Sequence, residues 1–232
     1  MTPGAAPAPV LVATGLQREQ RILASPGLEV VAGGGDHARL EAALDRLAPG
    51  ACGIISTGIA GALAPGLRPG DWVVASSVLD GESPVPTNTA WTARLAAGLA
   101  ARQGAILGMD EMVAEAAGKA ALHRNTGALS VDMESHIAAR IARRHGLPFA
   151  AARVISDAAD RSLPPAARVG MRPDGGMDLP SVLLSLLAHP LQLPALIRTG
   201  LEAERAFHAL LRGHRRLGPG ILFGAVVDLD PA

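Results

Sequence analysis

Apolar residues follow two rhythms along this chain. Short apolar runs bounded by turn formers alternate with stretches in which apolar positions recur every three or four residues, the signatures of buried strands and amphipathic helices. Val10–Ala13 reads as the first strand, with a helix from about Gln17 to Ala24 behind it. Leu28–Val31 is a second strand and runs into Gly33-Gly34-Gly35. A helix follows from Asp36 to Leu47, with Leu40, Ala43, Leu44 and Leu47 on one face. Gly53–Ser56 and Trp72–Ser77 are the third and fourth strands, separated by the turn-rich segment Thr57–Gly70. Glu82–Asn88 reads as a loop, Trp91–Arg102 as a helix and Ala105–Leu107 as a short strand, whereas Asp110–Asn125 fits neither rhythm. Ala128–Val131 is then a strand feeding a helix over Met133–His145, with Ile137 and Ile141 sharing a face. Gly146 and Pro148 close that helix, since neither favours its continuation. Phe149–Ile155 is a further buried strand. The alternation predicts βαβ units and a largely parallel sheet.

The last third differs. Leu179–Leu187 and Leu193–Leu211 predict two helices joined by a break at His189–Pro194, and Arg198, Arg205, Arg212, Arg215 and Arg216 give the second a basic side. Such a pair packs against the sheet or a partner subunit, or else offers a greasy platform to a lipid-like ligand or a membrane surface. No linker or repeat divides the 232 residues, so a single domain over 1–232 is expected, with an apolar helical segment at about 179–216.

Composition narrows the function classes. The 21 basic and 21 acidic side chains cancel, which argues against a nucleic-acid partner, and with 2% aromatic residues there is no platform for stacking bases. Cys52 is the only cysteine, which rules out an internal disulfide and fits a reducing compartment; it precedes an apolar run and reads as buried filler. The Pro-rich stretch Met1–Pro9 lacks the basic and apolar regions of a signal peptide, and Val182–Ile197 is too short and too broken to span a bilayer. A cytoplasmic protein is expected.

Gly33-Gly34-Gly35-Asp36-His37-Ala38 fits GxGxxA, but a dinucleotide site also needs an acid about 20 residues on, and Gly53–Thr57 holds none. No metal-ligand spacing occurs among the seven histidines, so no metal or organic cofactor is implied. What remains are polar groups at predicted strand ends, where ligands bind in open α/β folds. They are Thr14–Glu19, Ser56–Gly61, Val131-Asp132-Met133-Glu134-Ser135 and Arg153-Val154-Ile155-Ser156-Asp157. Each has an ordinary explanation: Asp132, Ser156 or Asp157 as helix caps, Thr57-Gly58 as a turn, Glu19 as an exposed acid on an amphipathic helix.

Taken together and in order, these segments resemble the superfamily of purine nucleoside phosphorylases and methylthioadenosine/adenosylhomocysteine nucleosidases. Gly58–Gly61 followed by Leu67-Arg68-Pro69-Gly70-Asp71-Trp72-Val73-Val74 is similar to its TGxAG…LxxGDxVV block. Val131–Ser135 is similar to its (E/D)ME(S/A/T) block, and Arg153–Asp160 to its RxISDxAD block. Leu122–Ala128, running into Val131–His136, and the Leu-rich C-terminal helices resemble the hopanoid-associated phosphorylase group. The resemblance implies a three-layer αβα sandwich with a mixed central sheet, a homo-oligomer, and removal of adenine from an adenosyl compound such as adenosylhopane.

It also implies roles. Asp157 matches the general acid that protonates the departing base, with burial expected to raise its pKa. Glu134 matches the carboxylate on the ribose hydroxyls, Met133 the apolar wall beside the sugar, and Arg153 a buried arginine near the site. Asp132, Ser156, Thr57 and Gly58 flank the substrate. Glu19 matches the residue that activates water in the hydrolytic branch. Two positions depart from phosphorolytic relatives, which commonly carry Arg at Ser56 and Ser or Thr at Ile59; an aliphatic Ile59 donates no side-chain hydrogen bond to phosphate. Gly15, Gly35 of the glycine loop, Thr57, Arg18 or Arg39 are the substitutes for holding inorganic phosphate as co-substrate. The choice between phosphate and water stays open at this point. So do a methylthioadenosine-type nucleosidase acting on small thio-nucleosides and a non-catalytic nucleoside- or lipid-binding protein.

Overall fold

A computed structural model describes residues 8–81, 83–168, 176 and 178–227; the start of the Pro-rich stretch and Glu82 lie outside the described residues. Among the described residues there are eight strands and eight α-helices: β1 (Val10–Thr14), α1 (Gln17–Leu23), β2 (Leu28–Ala32), α2 (His37–Leu47), β3 (Gly53–Ala62), β4 (Trp72–Asp80), β5 (Ser83–Pro86), α3 (Thr89–Leu99), β6 (Arg102–Gly108), α4 (Ala116–Thr126), β7 (Ser130–Asp132), α5 (Ser135–His145), β8 (Phe149–Asp157), α6 (Pro165–Arg168), α7 (Leu179–Ala188) and α8 (Leu193–Val227).

The sheet is mixed. β2, β1, β3 and β8 run parallel, as do β4, β6 and β7, and the two sets meet antiparallel where β3 pairs with β7 and β4 with β8. Those pairings close β3, β8, β4, β6 and β7 into a ring, with β1 and β2 extending from β3 and β5 flanking β4. Side chains alternate across the strands. Leu11, Ile54, Ala151 and Ile155 meet Leu40 and Leu44 of α2 and Ile137 and Ile141 of α5 on one face. Val10, Val12, Ile55, Ala152 and Val154 meet Leu95 of α3 and Leu210 of α8 on the other. Helices therefore cover both faces of a mixed sheet.

Two expectations are corrected, and one open stretch is assigned. β3 continues to Ala62 through the predicted turn, because β8 pairs with it along its length. The predicted loop at 82–88 holds edge strand β5, whose prolines at 84 and 86 suit an edge. The ambiguous stretch 110–125 holds all but the last residue of α4, which is ended by Gly127 in the left-handed conformation at φ 68°. In the C-terminal segment, Ala206, Ala209, Leu210 and Leu217 of α8 are buried against the sheet and α3. By contrast α7 buries no residue, and Leu183, Leu184 and Leu187 are more than half exposed.

Candidate active site

The continuation of β3 carries the site. What lies opposite excludes a side chain at Gly58 and leaves little room for one at Gly61. A Cβ on Gly58 would come within 2.6 Å of Glu19 Oε1 and 2.9 Å of Arg153 Nη1. One on Gly61 would come within 3.3 Å of Asp157 Oδ2. A third glycine, Gly15 after β1, faces Glu134, whose Oε1 would lie 2.6 Å from an added Cβ. Three acids thus lie close against glycine backbone.

Glu19 is buried, not exposed as an amphipathic helix face would have it. Standing in the first turn of α1, its Oε2 accepts hydrogen bonds from Thr14 Oγ1 at 2.6 Å and from the N–H groups of Gly15 and Leu16 at 2.9 and 2.7 Å. That caps the helix. Oε1 accepts one bond, from the Ile59 N–H at 2.7 Å, and keeps a lone pair directed toward Gly58.

Arg153, fully buried on β8, lies among acids. Its Nε is 2.9 Å from Asp132 Oδ2, out of line for a hydrogen bond; Nη2 lies 3.3 Å from Glu134 Oε2 and donates to Ser56 Oγ at 2.6 Å. Nη1 is buried without a hydrogen-bond partner beside Gly58 and Glu19, a donor aimed at the same space as the free lone pair of Glu19. Burial works against this charge, but Asp132, Glu134 and Glu19 outweigh it and hold the guanidinium above its ordinary pKa. Glu134 goes the other way. Burial, opposed by Arg153 and reinforced by Asp132 and Glu19, pushes its carboxyl up to about 8, so it keeps its proton at neutral pH. Asp132 also caps the turn that follows it, its Oδ1 accepting the N–H groups of Glu134 and Ser135 at 3.0 and 2.7 Å. Met133, half-buried, turns the chain between them.

Asp157 ends β8 where the register against β3 slips by one residue, Ala60 facing Ile155 and Gly61 facing Asp157. Such a bulge re-aims the side chains beside it. Ser156 donates its hydroxyl to Ala60 O at 3.1 Å and to Asp157 Oδ1 at 2.6 Å. Asp157 Oδ2 meets the ammonium of Lys119, from α4. The residues pointed to no partner for this acid beyond apolar burial; a cation stands there.

Glu19, Asp132, Glu134, Arg153, Ser156 and Asp157 therefore come together along Gly58–Gly61. Of the phosphate candidates, Gly15 lies among them but has no N–H to spare, and the others lie apart. Thr57 points to the opposite sheet face, into a small apolar cavity with Val12, Ile55 and Leu95, because side chains alternate along β3. The Gly15 N–H is engaged by Glu19, and those of Gly33 and Gly34 donate to Thr14 O and Gly15 O. Gly35 is exposed. Arg18 forms a bidentate pair with Glu204 and stacks 4.1 Å over the Phe207 ring, while Arg39 is exposed on α2. Sequence reasoning placed Thr14 in a candidate segment but gave it no role, and it missed Lys119. The signal for Thr14 was its place at a strand end; for Lys119, that it is the only lysine in the chain.

The Phosphorylase superfamily model matches residues 12–188, most of the chain and all four site segments. No curated protein sequence matches. Among solved structures, a mutant of the Helicobacter pylori 5′-methylthioadenosine/S-adenosylhomocysteine nucleosidase with 5′-methylthioadenosine in the active site superposes with a TM-score of 0.62 at 17% identity, covering 97% of this chain and 100% of that one. The S-adenosylhomocysteine nucleosidase of Streptococcus pyogenes gives 0.60 at 18% identity, with 93% and 100% covered. Futalosine hydrolase of H. pylori gives 0.59 at 17%, with 90% and 97% covered. Fold, motif order and a family match spanning β1 to α7 agree, and the chain belongs to the phosphorylase superfamily, whose enzymes act on N-glycosidic bonds.

Proposed function

We propose that this protein cleaves the N-glycosidic bond of an adenosyl compound, releasing adenine, with water as the acceptor. The observation that supports it best is the convergence of Glu19, Glu134, Arg153 and Asp157 on the glycine-lined end of β3. Cleavage passes through an oxocarbenium-like state in which the purine needs a proton and C1′ needs a nucleophile. Asp157 gives its proton to N7 as the C1′–N9 pair moves onto the purine. A water held between Glu19 Oε1 and Arg153 Nη1 adds to C1′ and passes its proton to Glu19. Glu134 grips the ribose hydroxyls, and Met133 walls the sugar.

Water is favoured over phosphate on electrostatic grounds. A phosphate dianion would stand beside the carboxylates of Glu19 and Asp132, and its candidate ligands are occupied or turned away. For the 5′ substituent we propose a long apolar group, as in adenosylhopane, with ribosyl-hopane as product. The exposed leucines of α7 and of the start of α8 support this, as a greasy approach for such a substrate. A methylthioadenosine-type nucleosidase is the alternative, and the same residues serve it.

The test is chromatographic detection of adenine from adenosylhopane and from methylthioadenosine, with and without phosphate. Phosphate-independent release from adenosylhopane, reduced roughly 10²–10⁴-fold in Asp157→Asn, is expected. Release that requires phosphate overturns the role of Glu19. Release only from methylthioadenosine makes this a small thio-nucleosidase, and none from either leaves a binding protein.

A further inference from the structure

Of the 21 basic residues in this chain, Lys119 alone is lysine and all the others are arginine. It is also one of the largest fully buried side chains. A surface cation is readily supplied by arginine, so the position of the sole lysine is informative. Its ammonium reaches three acceptors at once: Asp157 Oδ2, Ala158 O at 3.2 Å and Arg161 O at 2.8 Å. Three converging acceptors match the three donors of an ammonium, where a planar guanidinium would not fit.

We propose that Lys119 is a positioning residue for the proton-donating acid: it holds Asp157 Oδ2 and stabilises the carboxylate that remains once the proton has passed to the leaving base. This rests on reading Asp157 as that acid. In the step itself the proton moves from Asp157 to purine N7, and the C1′–N9 bond breaks with its electron pair going to the purine. Asp157 is left with a full negative charge. The Ser156 hydroxyl at Oδ1 and the Lys119 ammonium at Oδ2 then flank it. Because the ammonium is dry and fully bonded, it meets that charge without reorganising, which is where electrostatic stabilisation is most effective. The same ammonium ties residues 158–161 beneath the acid, so a purely structural role must be separated from this one.

Leaving-group dependence separates them. Wild type, Lys119→Met and Lys119→Gln are compared on an adenosyl substrate and on the matching 4-nitrophenyl riboside, whose leaving group departs without a proton. Circular dichroism verifies folding of each. Lys119→Met is expected to lose at least about tenfold in kcat for adenine release with KM little changed, while nitrophenolate release stays within about threefold of wild type. Lys119→Gln, which keeps a donor without the charge, should fall between. Equal losses on both substrates, or no loss on adenine, would overturn the proposal.

A wild type that releases neither group would instead overturn the nucleosidase reading. The pairing then still has its own readout. With one lysine in the chain, ¹⁵N-lysine labelling yields a single side-chain ammonium signal, expected to shift in Asp157→Asn; an unmoved signal would show that Lys119 does not sense the acid.

Discussion

Glu134 shows how single residues are set against their own stability. Its carboxyl is raised to about 8 by burial and by its acidic neighbours, against an ordinary value of 4.5. Between those two values the folded protein binds a proton that the unfolded chain releases, so stability falls as pH rises through that window. Glu134→Gln removes this dependence. The variant should melt at the same temperature as wild type near pH 4.5 and progressively above it toward pH 8, while binding of the ribosyl substrate is lost. A melting series by circular dichroism checks this, and a gap that shrinks with pH would contradict the electrostatic account. The glycines facing the acids belong to the same scale. Nothing in a local propensity announces that Gly58 must lack a side chain; the carboxylate of Glu19, far earlier in the chain, decides it.

Among the elements, β3 and α8 carry most of what the apolar rhythm could not. A strand rich in glycine after Ser56 reads as a turn, because glycine is a poor strand former. Pairing with β8 on one side and β7 on the other overrides that preference. α8 is held to the body of the molecule at Gly213, where a Cβ would fall 2.4 Å from Trp72 Cζ2 and 2.9 Å from Leu99 Cδ2. Gly213→Ala gains helix propensity yet should lower stability by about 1–3 kcal/mol, since the contact is rigid aromatic against helix backbone. The midpoint of urea denaturation reads it, and a stabilised variant would mean that the helix can shift away.

At the level of the whole molecule, closing five strands into a ring brings the ends of β1, β3, β7 and β8 to one place, and with them residues from four separated segments. The other large-scale feature is the elbow of α7 and α8. No single helix among the described residues is long and apolar enough to cross a membrane, but these two pass that test as a pair bent by 115°. Residues 179–197 hold no Asp, Glu, Lys or Arg, and Leu191 at the bend is 95% exposed. An exposed, uncharged apolar bend of this kind suits a lipid surface. Replacing Leu183, Leu184 and Leu187 by Ser should abolish flotation with vesicles while leaving cleavage of a water-soluble nucleoside intact. If the wild type ignores vesicles and the triple variant sediments as a smaller species, that face joins copies of the chain instead.

The alternation of short apolar runs with helical patterns was enough to indicate an α/β domain, and the blocks at Gly58–Val74, Val131–Ser135 and Arg153–Asp160 were enough to point to the superfamily, because each is local in sequence. Tertiary structure alone decided the rest. Burial turned Glu19 from a helix-face acid into a bonded one, pleating sent Thr57 to the opposite face, and packing of α4 brought the only lysine onto Asp157. Each of those depends on which atoms converge through space, and charge, proton and solvent access at a site are set by that convergence rather than by spacing along the chain.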